Sequence, residues 1–329
     1  MPALTFRRVT STAICAAAAL MLGTTSASAD TDMGQKPPPS DSKPSNEIGS
    51  LVQFKASRPG SGGRPMTPVA GNWNPPACWY EPKYTPKELQ DYLASHDYGS
   101  GSAGNGMSEE YGKDNFHKGD KGAWYELVKS GDASLEEFAE RCASLDVYQW
   151  IGPADPAPPG TPVVDPQVLA GLAYDRTRLP APPMKLSPSA ENQVVNLETY
   201  ASFTEELDRV WVTASLNHMD VNVAATTVAT PVELHIEAGT EYANPQSCTY
   251  DLVRKGGGYS VNTRESDCNI TYRKSSGDGT YKLQASITWK VTWTDSTDPD
   301  GPAQQPPLPN GESTNQQDVT VKEVQAINR

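Results

Sequence analysis

Cysteine, histidine, carboxylate and aromatic side chains are the residues of this chain whose types can do chemistry, and their spacing narrows what chemistry that is. Of five cysteines, Cys15 lies in an apolar N-terminal run, which leaves Cys78, Cys142, Cys248 and Cys268. No Cys-x-x-Cys and no Cys/His grouping occurs, so the spacing zinc requires is missing. Two of the four fall in an N-terminal region and two in a C-terminal one, with proline-rich chain between. Pairing within each region, Cys78–Cys142 and Cys248–Cys268, is therefore expected among the three pairings four cysteines allow. Of His96, His117, His218 and His235, no two stand at zinc-binding helical spacing. The adjacent carboxylates Glu109/Glu110 and Glu136/Glu137 are the residue type that acid–base work on a glycan uses, but in an acidic chain such pairs are ordinarily hydrated surface. No Gly-x-Ser-x-Gly elbow supports a nucleophilic serine. The sequence assigns no catalytic residue and no metal ligand.

Cofactor motifs fare no better. There is no Gly-x-x-x-x-Gly-Lys-Ser/Thr. Gly99-Ser100-Gly101-Ser102-Ala103-Gly104 has dinucleotide spacing, but that fingerprint works only between a buried strand and a helix N-terminus; here it follows a helical Tyr92-Leu93-Ala94 and runs on into glycine and serine. Asp295-Ser296-Thr297-Asp298-Pro299-Asp300-Gly301 resembles part of a calcium loop, yet Pro307 stands where the bidentate glutamate belongs. No cofactor, nucleotide or metal is expected.

Aromatic residues are the densest feature. Trp73, Trp79, Tyr80, Tyr84, Tyr92, Trp124, Tyr125, Tyr148 and Trp150 crowd one stretch. Trp73, Trp79, Trp124 and Trp150 are the candidate binding aromatics, on a platform suited to sugar or peptide. The competing role is core filling, because large aromatics dominate burial in a small domain.

The elements that position these groups divide the 329 residues into five parts. Residues 1–29 have the order of a secretory signal peptide: basic Arg7-Arg8, an apolar stretch from Ala13 to Leu22, then Ala27-Ser28-Ala29. The apolar core is too short to span a bilayer, so the mature chain is expected to be extracellular and without a membrane span. Residues 30–72 read as a flexible Pro/Gly/Ser-rich arm. Residues 73–151 read as a small helical domain: Thr85-Pro86 opens one helix, and Ser134 with Glu137 forms a capping box that opens another. Leu135, Phe138, Ala139 and Cys142 fall on one face of that second helix. Residues 152–189 read as a proline-rich linker with one short helix from Pro166 to Arg176.

From residue 190 to 329 the apolar period is two. Tyr281 to Trp293 alternates without a break, the pattern of a strand with one face in a core and one in water. Fold class is therefore mainly β with a smaller α region: a C-terminal immunoglobulin-like β-sandwich preceded by a small disulfide-stapled helical domain. Cys248 and Cys268 are expected to brace adjacent strands at one edge, and the sandwich to fold alone. Net charge of −13 argues against nucleic acid or an anionic membrane surface as partner.

Several blocks carry a resemblance. Asn74-Pro75-Pro76-Ala77-Cys78-Trp79-Tyr80-Glu81-Pro82, Lys121-Gly122-Ala123-Trp124-Tyr125, Leu169-Ala170-Gly171-Leu172-Ala173-Tyr174 and Ile287-Thr288-Trp289-Lys290-Val291-Thr292-Trp293 resemble a family of secreted streptomycete proteins of uncharacterised function, whose members carry labels such as ATP/GTP-binding protein or enoyl reductase. The resemblance implies secretion and a β-rich C-terminal domain, and it supplies no catalytic residues. The expected function is a secreted, non-enzymatic protein that presents a binding or structural surface to a protein partner or cell-envelope component. The alternative is a secreted hydrolase acting on cell-wall or environmental polymer.

Overall fold

A computed structural model describes residues 50–58, 63–69, 75–95, 110–153 and 162–324. In chain order the elements used below are β1 (Gln53–Ala56), β2 (Thr67–Pro68), β3 (Cys78–Tyr84), α1 (Pro86–Ser95), β4 (Ala123–Lys129), α2 (Leu135–Cys142), β5 (Tyr148–Ile151) and α3 (Pro166–Arg176). They continue with β6 (Met184–Ser187), β7 (Glu198–Phe203), β8 (Val210–His218), β9 (Val221–Glu237), β10 (Ala243–Asn244), β11 (Ser247–Asp251), β12 (Ile270–Tyr272), β13 (Tyr281–Thr294) and β14 (Gly311–Val319). The protein is mainly β. A seven-stranded sheet has the order β1-β8-β9-β13-β14-β2, with β11 also paired to β9; a four-stranded sheet has the order β10-β12-β7-β6; a three-stranded sheet has the order β3-β4-β5.

The alternation in β13 holds. Leu283, Ala285, Ile287, Trp289, Val291 and Trp293 are buried on one face, because period-two side chains all reach the same side of a pleated strand. A bulge in β9 between Pro231 and Glu233 moves the inward parity from Ala229 to Leu234 and Ile236. Two lids cover that single sheet face. Leu186, Ala201, Ile270 and Tyr272 of the four-stranded sheet pack over Leu283, Ile287 and Trp289. Helix α3 packs Leu169 and Leu172 over Val212, Ala214, Leu216, Ala225 and Trp293, together with Val52 and Trp79. The helix starts where Asp165 accepts from the Val168 amide at 2.7 Å and Pro166 occupies its first turn. The Thr227 hydroxyl donates to the Ala170 carbonyl at 2.8 Å, a buried tie between helix and sheet.

Several sequence expectations change here. The stretch whose composition reads as a flexible arm contributes β1 to the sheet edge, with Gln53–Ala56 paired to Val212–Ser215. The stretch whose prolines read as a linker packs its expected helix, α3, against the large sheet and adds β6 to the four-stranded one. The stretch that reads as a helical domain has its two capped helices, but its centre is the β3-β4-β5 sheet. The described residues all fall within one compact unit. The capping box at Ser134 and Glu137 forms as expected, with bonds of 2.8 and 3.1 Å. Yet of the four residues on its apolar face only Cys142 is buried, and Leu135 is 78% exposed. Both expected disulfides are present. Cys78–Cys142 staples α2 to β3. Cys248–Cys268 does not brace neighbours in one sheet: it links β11 of the large sheet to the segment entering β12 of the small one.

An isolated 189–329 fragment would lose α3 and expose the apolar residues beneath it. We expect it to bind a hydrophobic dye and melt without a cooperative transition, in contrast to residues 30–329. In that longer chain, Ile287→Asp should abolish folding, because it buries an unpaired carboxylate. Thr288→Asp, on the opposite face, should change stability by about 0.5 kcal/mol or less. Equal effects at the two positions would contradict the assigned faces.

Candidate functional site

The three-stranded sheet gathers most of the candidate aromatics onto one face. Pro82 lies opposite Tyr125 but Tyr84 lies opposite Trp124, so a bulge at Lys83 swings Tyr84 to the Trp124 side. There Trp124, Tyr84, Tyr148 and Trp150 pack with Leu89 and Leu93 of α1 and with Phe116. Ring centroids are 5.5 Å apart for Tyr111 and Trp124, 5.6 Å for Trp124 and Trp150, and 5.9 Å for Tyr84 and Tyr148. These are edge-to-face spacings that add to simple burial. Burial pushes the hydroxyls of Tyr84 and Tyr148 well above the usual phenol range.

Placement of the four candidate tryptophans separates them. Trp79 is fully buried beneath α3. Trp124 is buried, and its indole N–H donates to the Phe116 carbonyl at 3.0 Å. Trp150 is half-buried and lies flat against His117, with centroids 4.5 Å apart and planes 4° from parallel. Trp73 lies outside the described residues, as do the glycine run at 99–104, His96 and Glu109.

The turn that delivers His117 is unusual. Asn115, Phe116 and His117 have φ of 52°, 57° and 58°, three consecutive non-glycine residues in a left-handed conformation that costs roughly 1–2 kcal/mol per residue. Surrounding contacts hold it. Phe116 is buried, its carbonyl takes the Trp124 indole N–H, and His117 Nδ1 lies 3.2 Å from the Asp120 carboxylate. Gly122, at φ +147°, has no room for a side chain: a Cβ there would stand 2.8 Å from the Trp150 ring.

At the other end of the same sheet face is a residue that no sequence motif marks. Glu81 is 0% exposed. Its Oε1 accepts from the Ser50 hydroxyl and from the Trp79 indole N–H, and its Oε2 accepts from the Leu51 amide, each at 2.6 Å. Burial pushes its carboxyl above the ordinary range, and the three donors with Lys83 pull it part of the way back. Glu126 stands directly opposite Glu81 across the strand pair and is ion-paired to Lys83. The signal was there: Glu81 shares the inward parity of Trp79 two residues earlier.

Two opposed carboxylates beside aromatics are the raw material of glycoside chemistry. A catalytic acid, however, must reach the proton acceptor on its substrate. Glu81 has no exposed surface and its oxygens are occupied by groups of the fold, so the arrangement works as a tie between chain segments.

Other candidates resolve as structure. In the 295–301 loop, Asp298 accepts from the Asp300 amide at 2.9 Å and Asp300 pairs with Arg209 at 2.7 Å, so two of its carboxylates are already engaged. His235 contacts the Thr249 hydroxyl at 2.9 Å and lies 3.4 Å from Glu237. Glu137 belongs to its capping box, and Glu110 and Glu136 are exposed. Among the described residues no group of three or more His, Cys, Asp or Glu side chains is placed to hold a metal, and no helix is long and apolar enough to cross a membrane. No family model, curated protein or solved structure matches the chain.

Glu81→Ala should destabilise the protein by about 3 kcal/mol, because three donors lose their acceptor. Its titration has a definite sign. With the folded pKa above the unfolded one, stability from this group is fully present at acid pH and is lost as pH rises through the raised value. The unfolding free energy of wild type minus that of Glu81→Gln, measured by denaturant titration, should fall as pH rises above the ordinary glutamate range. A rising difference would contradict burial as the dominant effect.

Proposed function

We propose that the chain is a secreted, non-enzymatic protein that presents a binding surface to a component of the cell envelope. One observation carries this reading: the pKa-shifted carboxylate of the aromatic-rich region is sealed inside the fold, so chemistry of the kind that depends on such a group has no access to it. The surface nearby offers a shallow depression of about 390 Å³ beside α1. The leader-like residues 1–29 support export, and two disulfides fit an oxidising compartment. The two facing sheets serve, in this reading, as an immunoglobulin-like scaffold. Their shared core supports that, although seven and four strands depart from the usual division.

The opposed pair Glu81 and Glu126 is what favours the other reading, a hydrolase of cell-wall or environmental polymer. One experiment separates the two. Residues 30–329 are mixed with isolated envelope fragments, and both sedimented protein and soluble reducing ends are measured. Saturable co-sedimentation without release of reducing ends is expected. Release that disappears in Glu126→Gln would establish the hydrolase. Absence of both sedimentation and release would contradict envelope binding.

A further inference from the structure

We propose that the loop from Tyr111 to Gly122, with the stacked rings of His117 and Trp150, is a binding site for an anionic glycan. The inference rests on the envelope-binding reading and adds the ligand chemistry.

Charge is the first ground. The chain as a whole carries −13, which repels polyanions from most of its surface. Against that background Lys113, Lys118 and Lys121 stand exposed on one loop, and among the described residues no carboxylate pairs with any of them. The loop's acids are Asp114 and Asp120, and Asp120 is engaged with His117. Three lysines against these two acids leave the loop net positive on an anionic body, a local field whose sign favours an acidic ligand.

Shape is the second. The His117 side chain is 26% exposed and Trp150 is half-buried, so part of the stacked aromatic pair reaches solvent. The C–H face of a sugar ring packs on such a surface, while its hydroxyls need mixed donors and acceptors. Thr85, Gln90, Lys118 and Asp120 line the depression beside α1 and supply both kinds. Lys87, on the same rim, is paired with Asp91, so the acid-binding charge comes from the loop.

The backbone is the third. The left-handed turn at Asn115–His117 is strained, and its neighbours over-determine it through the buried Phe116 ring and the Trp124 hydrogen bond. Strain held in this way concentrates at ligand clamps. Here it places His117 against Trp150 and sends Lys118 and Lys121 outward.

The test is affinity electrophoresis of residues 30–329 in native gels. The gels contain polygalacturonate, a phosphodiester-linked sugar polymer, neutral dextran or polyglutamate. Retardation by at least one anionic glycan is expected, about tenfold stronger than by dextran or polyglutamate, and whichever glycan acts identifies a carboxylate or a phosphate source. Lys118→Glu with Lys121→Glu alters exposed, unpaired side chains and should weaken retention about tenfold or more. Arg254→Glu, an exposed cation elsewhere, should not. His117→Gly keeps the positive φ without strain, so it should lose retention while keeping or raising the thermal midpoint. Equal retention by polyglutamate, undiminished retention in the double lysine variant, or no retention by either glycan would overturn the proposal. If the double variant still sediments with envelope fragments as wild type does, the glycan site is wrong and the envelope reading stands. If wild type does not sediment, the envelope reading is what fails.

Discussion

One carboxylate with no exposed surface joins parts of the chain that are distant in sequence. Glu81 takes the Leu51 amide and the Ser50 hydroxyl from about thirty residues upstream, and the indole N–H of Trp79 from its own strand. A buried carboxylate is tolerated only where donors replace the water it gave up, so these three bonds are a condition of burying it. Much else follows from that condition. Ser50 and Leu51 are held where β1 can lie on the edge of β8. Trp79 is fixed beneath α3. The next residue, Tyr80, exchanges backbone bonds with the chain leading to that helix, donating to Pro162 at 2.7 Å and accepting from Val164 at 2.9 Å. The large sheet, the three-stranded sheet and α3 thereby share one junction. Two-module independence has no place in such an arrangement.

The same sheet face shows how burial separates scaffold from surface. Trp79 and Trp124 are consumed in packing and hydrogen bonding. Trp150 is only partly covered, and what lies against it is a histidine set by an unfavourable backbone. Large aromatics fill a small core with few residues, which is why most members of the cluster are enclosed. The part left open lies beside the loop that carries Lys113, Lys118 and Lys121.

What was legible in the sequence was local. Alternation from Tyr281 to Trp293, the capping signals at Thr85 and Ser134, and the pairing of cysteines by region all concern residues close together in the chain or constrained by counting. What was not legible depended on partners far away. Val52, Phe54 and Ala56 alternate over only five residues inside a long stretch rich in glycine, proline and serine, and nothing within the segment says that β8 awaits them. Pro82 inside Cys78–Tyr84 argues against a strand on local grounds, and the bulge beside it hides the alternation. The run Val168 to Tyr174 is apolar nearly all round, the mark of a buried helix, but flanking prolines made it look like part of a spacer. For the left-handed turn, only Asn115 hints at the required conformation; Phe116 and His117 carry no such signal, and the rings they meet are fixed by the sheet register.

The claim that Glu81 makes one cooperative body of these parts is tested most directly by native-state hydrogen exchange of residues 30–329 in increasing denaturant. The amides of Leu51, Tyr80 and the centre of β9 should converge on one common opening free energy, that of global unfolding. If Leu51 instead exchanges through a low-energy local opening while β9 stays protected, the carboxylate does not hold the edge strand to the core, and the account fails at its centre.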